Sequence, residues 1–264
     1  MEAAVAYSVE MSENGRHALV IGASSKGGLG EAVARRLAAD GCRVTVASRN
    51  TGALDSLAAE LGGTSIGCDI TDEASIEAMI AAAGPIDILV NAAGTTEAGG
   101  LARIQRERVD AQMAVHYTAN VLLLKHAMGA MPAGSAIILF SSLVARLAGA
   151  GLTTYSCAKA ALDQLVRIAA IELGPRNIRI NAVAPGFSQT PMTKSIFDAP
   201  EIRDLYLSDV PLEGRGVTPD EVAAAVAWLA DPDCFMTGEI IQMSGGAQLG
   251  RLPTARELKH ARNS

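Results

Sequence analysis

Along this chain, short Val- and Ile-rich runs alternate with longer stretches whose apolar residues recur every three to four positions. The runs are HALVIG from His17, CRVTVAS from Cys42, GTSIGCD from Gly63, IDILVNAAG from Ile86, SAIILFSS from Ser135, NIRINAVAPG from Asn177 and GEIIQMSGG from Gly238. Most of them are apolar without a break, which reads as strands covered on both faces in a parallel sheet. The periodic stretches predict helices near 29–40, 51–61, 72–83, 104–130, 152–174 and 218–230. The last has the clearest start: Thr218 as cap, Pro219 at the first helical position and Glu221 three residues after the cap. The alternation predicts an α/β fold: a single-domain, doubly wound parallel sheet of about seven strands with helices on both faces. No linker or repeat interrupts it. Residues 15–250 therefore read as one domain, with polar extensions at 1–14 and 251–264 expected to be loose.

Composition narrows the function classes. Of 264 residues 49% are hydrophobic but only 3% aromatic, so the core is expected to be built from Ala, Val, Leu and Ile. A net charge of -6 offers no basic field for nucleic acid or an anionic membrane. The most apolar long stretch, Val121 to Phe140, contains Lys125, His126 and Pro132 and does not read as a membrane span. The four cysteines, Cys42, Cys68, Cys157 and Cys234, lack zinc or redox spacing, and no metal site is expected. The first fifteen residues have neither the basic start nor the apolar run of a leader, so reduced thiols and a cytoplasmic location are expected.

Candidate chemistry begins at IGASSKGGLGEAVARRL, where the first strand ends at Gly22 and the first helix opens near Gly30. Backbone N–H groups and the positive end of the helix dipole favour an anion there, and glycines let it approach. A glycine loop between the first strand and first helix of a continuing β/α alternation points to dinucleotide binding by Gly22, Ser24, Ser25, Lys26, Gly28, Leu29 and Gly30. The second strand ends in Ser48, Arg49 and Asn50, with no carboxylate to accept a ribose hydroxyl. Arg49, with Lys26 as a second cation, suits a 2′-phosphate, so NADP(H) is expected over NAD(H).

Downstream, TTYSCAKAAL places Tyr155 and Lys159 four residues apart on one face of a predicted helix. A tyrosine of pKa about 10 beside an ammonium is expected to ionise more readily and to act as general acid or base on a carbonyl or alcohol.

These motifs together resemble the short-chain dehydrogenase/reductase family from about Arg16 to Leu249. The family carries a glycine-rich turn after the first strand, an Asn-Ala-Ala-Gly segment after the fourth (here Asn91, Ala92, Ala93 and Gly94) and a serine ending the fifth. Tyr-x-x-x-Lys follows, then Pro-Gly and a threonine after the sixth strand, here Pro185, Gly186 and Thr190. The resemblance implies a Rossmann fold and hydride transfer between a nicotinamide cofactor and a ketone or secondary alcohol. It implies that Ser142 binds the substrate oxygen, that Lys159 binds the nicotinamide ribose and tunes Tyr155, and that Asn91 supports the cofactor scaffold. It further places Asp69 and Ile70 near the adenine, and Thr190 with the Ser188 backbone at the carboxamide; Asp69 also reads as an ordinary turn carboxylate. Ser141, by strand alternation, is expected to point away from Ser142. A homotetramer or homodimer is implied as well.

Two departures stand out. The glycine loop is two residues longer than the family's, Lys26-Gly27 reading as an insertion that either wraps the adenosine phosphate or bulges into solvent. Where the family has an asparagine completing a proton-relay tetrad, this chain has His116, with Asn120 one turn later on the same face. His116 is expected to hold the relay water and to add a group titrating near neutrality; packing without a relay role is the other reading. The stretch from Phe187 to Val217 is long and apolar and reads as a substrate lid. Phe187 and Met192 are expected on one wall, Leu143, Val144 and Leu152 on the other. A hydrophobic carbonyl compound is expected as substrate, a 3-oxoacyl thioester first and a cyclic, aromatic or terpenoid ketone next. Arg103, Arg106 and Arg108 offer either a dock for an acidic carrier or a salted helix face with Glu107 and Asp110. A cofactor-binding regulator and a structural subunit are the non-enzymatic readings.

Overall fold

Seven parallel strands form one sheet in the order β3-β2-β1-β4-β5-β6-β7 in the computed structural model, which describes residues 15–261. They are β1 (His17–Ile21), β2 (Arg43–Ser48), β3 (Thr64–Gly67), β4 (Ile88–Asn91), β5 (Ala136–Phe140), β6 (Arg179–Pro185) and β7 (Ile240–Met243). The helices are α1 (Leu29–Ala39), α2 (Thr51–Leu61), α3 (Glu73–Ala83), α4 (Arg106–Met113), α5 (Ala119–Ala127), α6 (Thr153–Leu173), α7 (Lys194–Phe197), α8 (Pro200–Leu207), α9 (Pro219–Ala230) and α10 (Ala255–Ala261).

Strand periodicity decides which helices cover which face. Leu19 and Ile21 of β1, with Leu89, Ile137 and Ile180, pack against Ile76 and Met79 of α3, Leu123 of α5 and Leu162 and Val166 of α6. Their neighbours Ala18 and Val20, with Val44, Val46, Val90 and Ile138, meet Val33 of α1, Leu54 of α2 and Val226 of α9. Strands buried on both sides thus explain the unbroken apolar runs. The strand order reverses at β1, with β2 on one side and β4 on the other, which opens a crevice beyond the carboxyl ends of the strands.

Most predicted helices fall within a residue of their observed bounds. At α9 the expected cap is present: Glu221 N–H donates to Thr218 Oγ1 at 3.2 Å and Thr218 N–H to Glu221 Oε2 at 2.8 Å. The predicted helix at 104–130 is broken instead into α4, a π-helical turn at Ala114–Thr118, and α5. Its cause is a side chain in the ladder. Asn120 Nδ2 donates at 2.8 Å to the His116 carbonyl, the acceptor that its own N–H would meet in a regular α-helix.

The chain beyond 250, expected to be loose, carries α10 and buries Leu252 against Leu143 and Val144. The N-terminal extension expected at 1–14 lies outside the described residues. Among the described residues no helix is long and apolar enough to cross a membrane, and the four cysteines are unpaired.

Candidate active site

Two contiguous clefts fill the crevice. The first runs over the glycine loop and is lined by Gly22, Ser24, Ser25, Gly28, Leu29 and Gly30, with Arg49, Asp69 and Ile70 at one end and Thr190 and Met192 at the other. The second, a cavity of about 180 Å³, is lined by Ser142, Leu143, Leu152, Tyr155, Lys159, His116, Pro185, Gly186, Phe187 and Ser188. Leu29, Ala92, Gly94, Thr190 and Met192 border both, so one elongated ligand can span them.

The glycine loop is shaped by close backbone approach. A Cβ on Gly22, whose φ is +85°, would stand 2.4 Å from the Ala93 nitrogen, and one on Gly30 would stand 2.4 Å from the Gly22 carbonyl. Gly22→Ala is therefore expected to destabilise the protein by about 2–4 kcal/mol, strain at positive φ adding to a backbone clash, and to lower the melting temperature measurably. The two extra residues bulge outward. Lys26 and Gly27 are exposed and line neither cleft, and the Gly27 N–H is taken by the Glu31 carboxylate at 2.6 Å. Glu31 is itself held by Arg35, which also reaches Glu60. Of the two cations expected at a 2′-phosphate, only Arg49 lines the cleft.

Asp69 makes the turn contacts expected of a turn carboxylate and also faces the cleft. It lines the cleft, and its carboxylate accepts Thr71 N–H at 2.9 Å and Thr71 Oγ1 at 2.7 Å, bonds that hold it below the usual carboxylate range. Asn91 is buried beneath the cleft, where its Oδ1 accepts Ala93 N–H at 3.0 Å and its Nδ2 donates to Asn120 Oδ1 at 2.8 Å. It thereby fixes the segment that walls both clefts.

The cavity floor is built where the end of β5 meets α6. Tyr155 and Ser142 line the cavity side by side, and Lys159 Nζ donates to the Phe140 carbonyl at 2.6 Å, 5.7 Å from the centroid of the Tyr155 ring. Acidification of Tyr155 by Lys159, expected from the spacing, is absent from this arrangement. Burial pushes the phenol above its ordinary value, with Ser142 opposing, and burial lowers Lys159 to about 7. Desolvation outweighs the opposing effect of Ser142, so the phenol stays protonated at neutral pH.

His116 is 1% exposed and stands edge-to-face on Tyr155, with ring centroids 5.1 Å apart. Its Nε2 lies 2.7 Å from the Thr95 carbonyl, which can only accept, so this nitrogen carries the proton and the buried Nδ1 is left as an acceptor without a protein partner. Titration near neutrality was expected; burial first, and then the Lys159 charge, hold His116 at about 3. A cation there would be desolvated beside another cation. Asn120, the alternative fourth member, is committed to Asn91 and the His116 carbonyl and lines neither cleft.

The segment from Phe187 to Val217 folds into α7 and α8 and contributes Ile196 and Tyr206 beside Phe187 and Met192; Phe187 and Tyr206 rings meet at 4.4 Å. Arg106 and Arg108 are engaged with Asp110 at 3.3 Å and Glu97 at 2.8 Å. Sequence reasoning missed Thr95, Thr96 and Asp163. Thr95 and Thr96 follow directly on Asn91–Gly94, and Asp163 continues the four-residue spacing of Tyr155 and Lys159.

A dinucleotide-sized crevice over the switch point of a parallel sheet, opening onto a tyrosine, a serine and a buried lysine, defines a class of nicotinamide-dependent oxidoreductases. A family model described as "Enoyl-(Acyl carrier protein) reductase" matches residues 22–248, and the chain belongs to the short-chain dehydrogenase/reductase family. Among curated relatives, the 3-oxoacyl-(acyl-carrier-protein) reductase FabG of Vibrio cholerae is 36% identical over 245 residues, 89% of this chain and 98% of that protein. The D-erythrulose reductase of Gallus gallus is 33% identical over 241 residues, 90% of this chain and 97% of its own. Among solved structures, the Pseudomonas aeruginosa RhlG/NADP active-site complex superposes with a TM-score of 0.82 at 29% identity, covering 90% of this chain and 98% of that one.

Proposed function

We propose that this protein is an NADP(H)-dependent reductase that interconverts a hydrophobic ketone and its secondary alcohol, with Tyr155 as general acid and base. The observation that carries the reading is the convergence of Ser142, Tyr155 and Lys159 on a cavity that continues into the glycine-lined cleft. The residues present fit a dinucleotide: the cleft narrows where a Cβ on Gly22 or Gly30 would collide with backbone, and the buried Ser188 hydroxyl at the cavity end lacks a protein partner. Gly22, Ser24, Ser25, Gly28 and Gly30 would hold the phosphates, Arg49 the 2′-phosphate, Asp69 and Ile70 the adenine end, and Lys159, Pro185, Gly186, Ser188 and Thr190 the nicotinamide end. When bound, the cofactor supplies the hydride.

The protein's own part is proton transfer and orientation. Ser142 positions the carbonyl oxygen and stabilises charge growing there. Tyr155, kept protonated by burial, is ready to donate its proton to that oxygen, which suits the reductive direction. Lys159 holds a positive charge beside the phenol when protonated. His116, fixed as a neutral ring with Nδ1 as acceptor, orients the proton-carrying water behind Tyr155 and acts without ionising itself.

A 3-oxoacyl thioester is the first substrate class to try, supported by the Vibrio cholerae relative. A compact cyclic or terpenoid ketone is the second, supported by the Phe187–Tyr206 aromatic pair over the cavity and by the ion-paired state of Arg106 and Arg108. The enzyme is read as a cytoplasmic homo-oligomer; Ile171, 78% exposed on α6, supports assembly.

A panel of these ketones with NADPH, followed by nicotinamide absorbance, tests the assignment. Arg49→Asp is expected to weaken NADPH binding at least about tenfold more than NADH binding, the loss of a charge-assisted contact to phosphate. Equal losses for the two cofactors would remove the NADP(H) preference.

A further inference from the structure

Three successive residues at the end of β5 grip three successive turns of α6. Ser142 meets Tyr155, the Phe140 carbonyl accepts from Lys159 Nζ at 2.6 Å, and the Ser141 hydroxyl donates to Asp163 Oδ1 in a short hydrogen bond. Tyr155, Lys159 and Asp163 are spaced by four residues each and therefore ride one face of α6. Ser141 is 3% exposed, so the bond that anchors Asp163 is shielded on the strand side. The first two of these contacts belong to the proton-transfer reading above. The third has no part in it, yet it places a carboxylate one turn beyond the buried ammonium.

We propose that Asp163 is a positioning residue of the reaction: anchored by Ser141, it sets the seat of α6 on β5 and supplies the negative charge that keeps Lys159 protonated beside Tyr155. The inference rests on the functional reading of Tyr155 and Lys159. The ionisable groups around Lys159 are Tyr155 and Asp163 on its own helix and His116 from the π-helical turn, and Arg167 acts on Asp163 from one turn further along. Phe140 and Ser141 of the β5 end contribute only a carbonyl and a hydroxyl. Among these groups Asp163 is the carboxylate, and its charge opposes the desolvation that lowers Lys159. Burial raises Asp163 itself, against which Ser141, Arg167 and Lys159 all favour the anion. The carboxylate and the ammonium thus sustain each other at the far end of the catalytic row.

Asp163→Asn tests this, because the amide keeps the size and can still accept from Ser141 but carries no charge. Lys159 is titrated by NMR in carbon-13-lysine-labelled protein without cofactor, and kcat is measured against pH. Lys159 is expected to lose its proton at lower pH in D163N, and the alkaline limb of kcat to move down with it, a displacement of one unit costing about tenfold in kcat on that limb. Asp163→Glu should restore both in part, and the melting temperature should change little. An unmoved Lys159 titration overturns the proposal, as does a kcat loss that is uniform with pH and so reflects packing alone. Should D163N fail to fold, Ser141→Ala keeps the charge and removes its anchor; a smaller displacement of Lys159 in the same direction is expected, and none would again overturn the proposal. If the wild-type protein reduces no ketone, the functional reading falls, while the Lys159 titration still decides the coupling.

Discussion

Tyr155→Phe is expected to lower ketone reduction by about 10²–10⁴-fold while leaving NADPH binding and the fold intact. The substitution removes one oxygen. The phenyl ring keeps the edge-to-face contact with His116 and the packing beside Phe187 and Tyr206, so the stability change should stay within about 1–2 kcal/mol. Ser142 loses its phenol neighbour but retains the Val144 N–H, which it accepts at 3.4 Å. Hydride geometry is then unaffected, and the alkoxide forming on the substrate loses its phenolic proton donor. The check is kcat at saturating NADPH, with cofactor fluorescence as a binding control. Turnover within threefold of wild type would show that the proton comes from elsewhere, and His116 cannot take over: its one proton is committed to the Thr95 carbonyl.

The layout of the fold was legible because burial on both faces of a parallel sheet leaves a strong mark. HALVI, ILVN and AIILF are buried at every position, with polar residues, His17 and Asn91, only at strand ends, and the helices between them carry one apolar stripe each. The glycine loop and the Tyr-x-x-x-Lys pair were legible for a different reason: each is local, and the spacing alone puts its atoms together. What escaped depended on contacts distant in sequence. The π-helical turn exists because the Asn120 amide reaches the His116 carbonyl while Asn91, 29 residues earlier, holds its other end. That same turn buries His116 against Tyr155, so a histidine expected to titrate near neutrality becomes a neutral acceptor. The Tyr155–Lys159 electrostatics escaped in the same way: spacing reports which side chains are neighbours, but the desolvation each suffers is set by the elements packed around α6. The tail illustrates the converse, since polar composition past Gly250 hides Leu252, which packs against Leu143 and Val144 of the cavity wall.

The second large effect concerns stability. Lys159→Met is expected to abolish activity and yet raise the stability of the protein at neutral pH by about 2–3 kcal/mol. Lys159 is 4% exposed and its pKa falls from 10.5 to about 7 on burial, so seating its ammonium in the folded protein costs on the order of 4–5 kcal/mol. Methionine matches the stem, removes that cost, and strands the Phe140 carbonyl at roughly 1–3 kcal/mol. The pH dependence has a definite sign. Below pH 7 the folded and unfolded chains both carry the proton, and the wild type bears the full penalty. As pH rises from about 7 towards 10.5 the folded lysine releases its proton while the unfolded one retains it; the unfolded state then binds more protons, and wild-type stability climbs. The gap between variant and wild type should therefore be widest near pH 6.5 and should narrow by pH 9.5, as read from urea melts at several pH values. Parallel curves, or a variant less stable at every pH, would mean that the ammonium is not desolvated in the folded protein. A buried lysine that costs stability is also what makes Asp163 consequential, because the same missing solvent gives a nearby carboxylate its leverage.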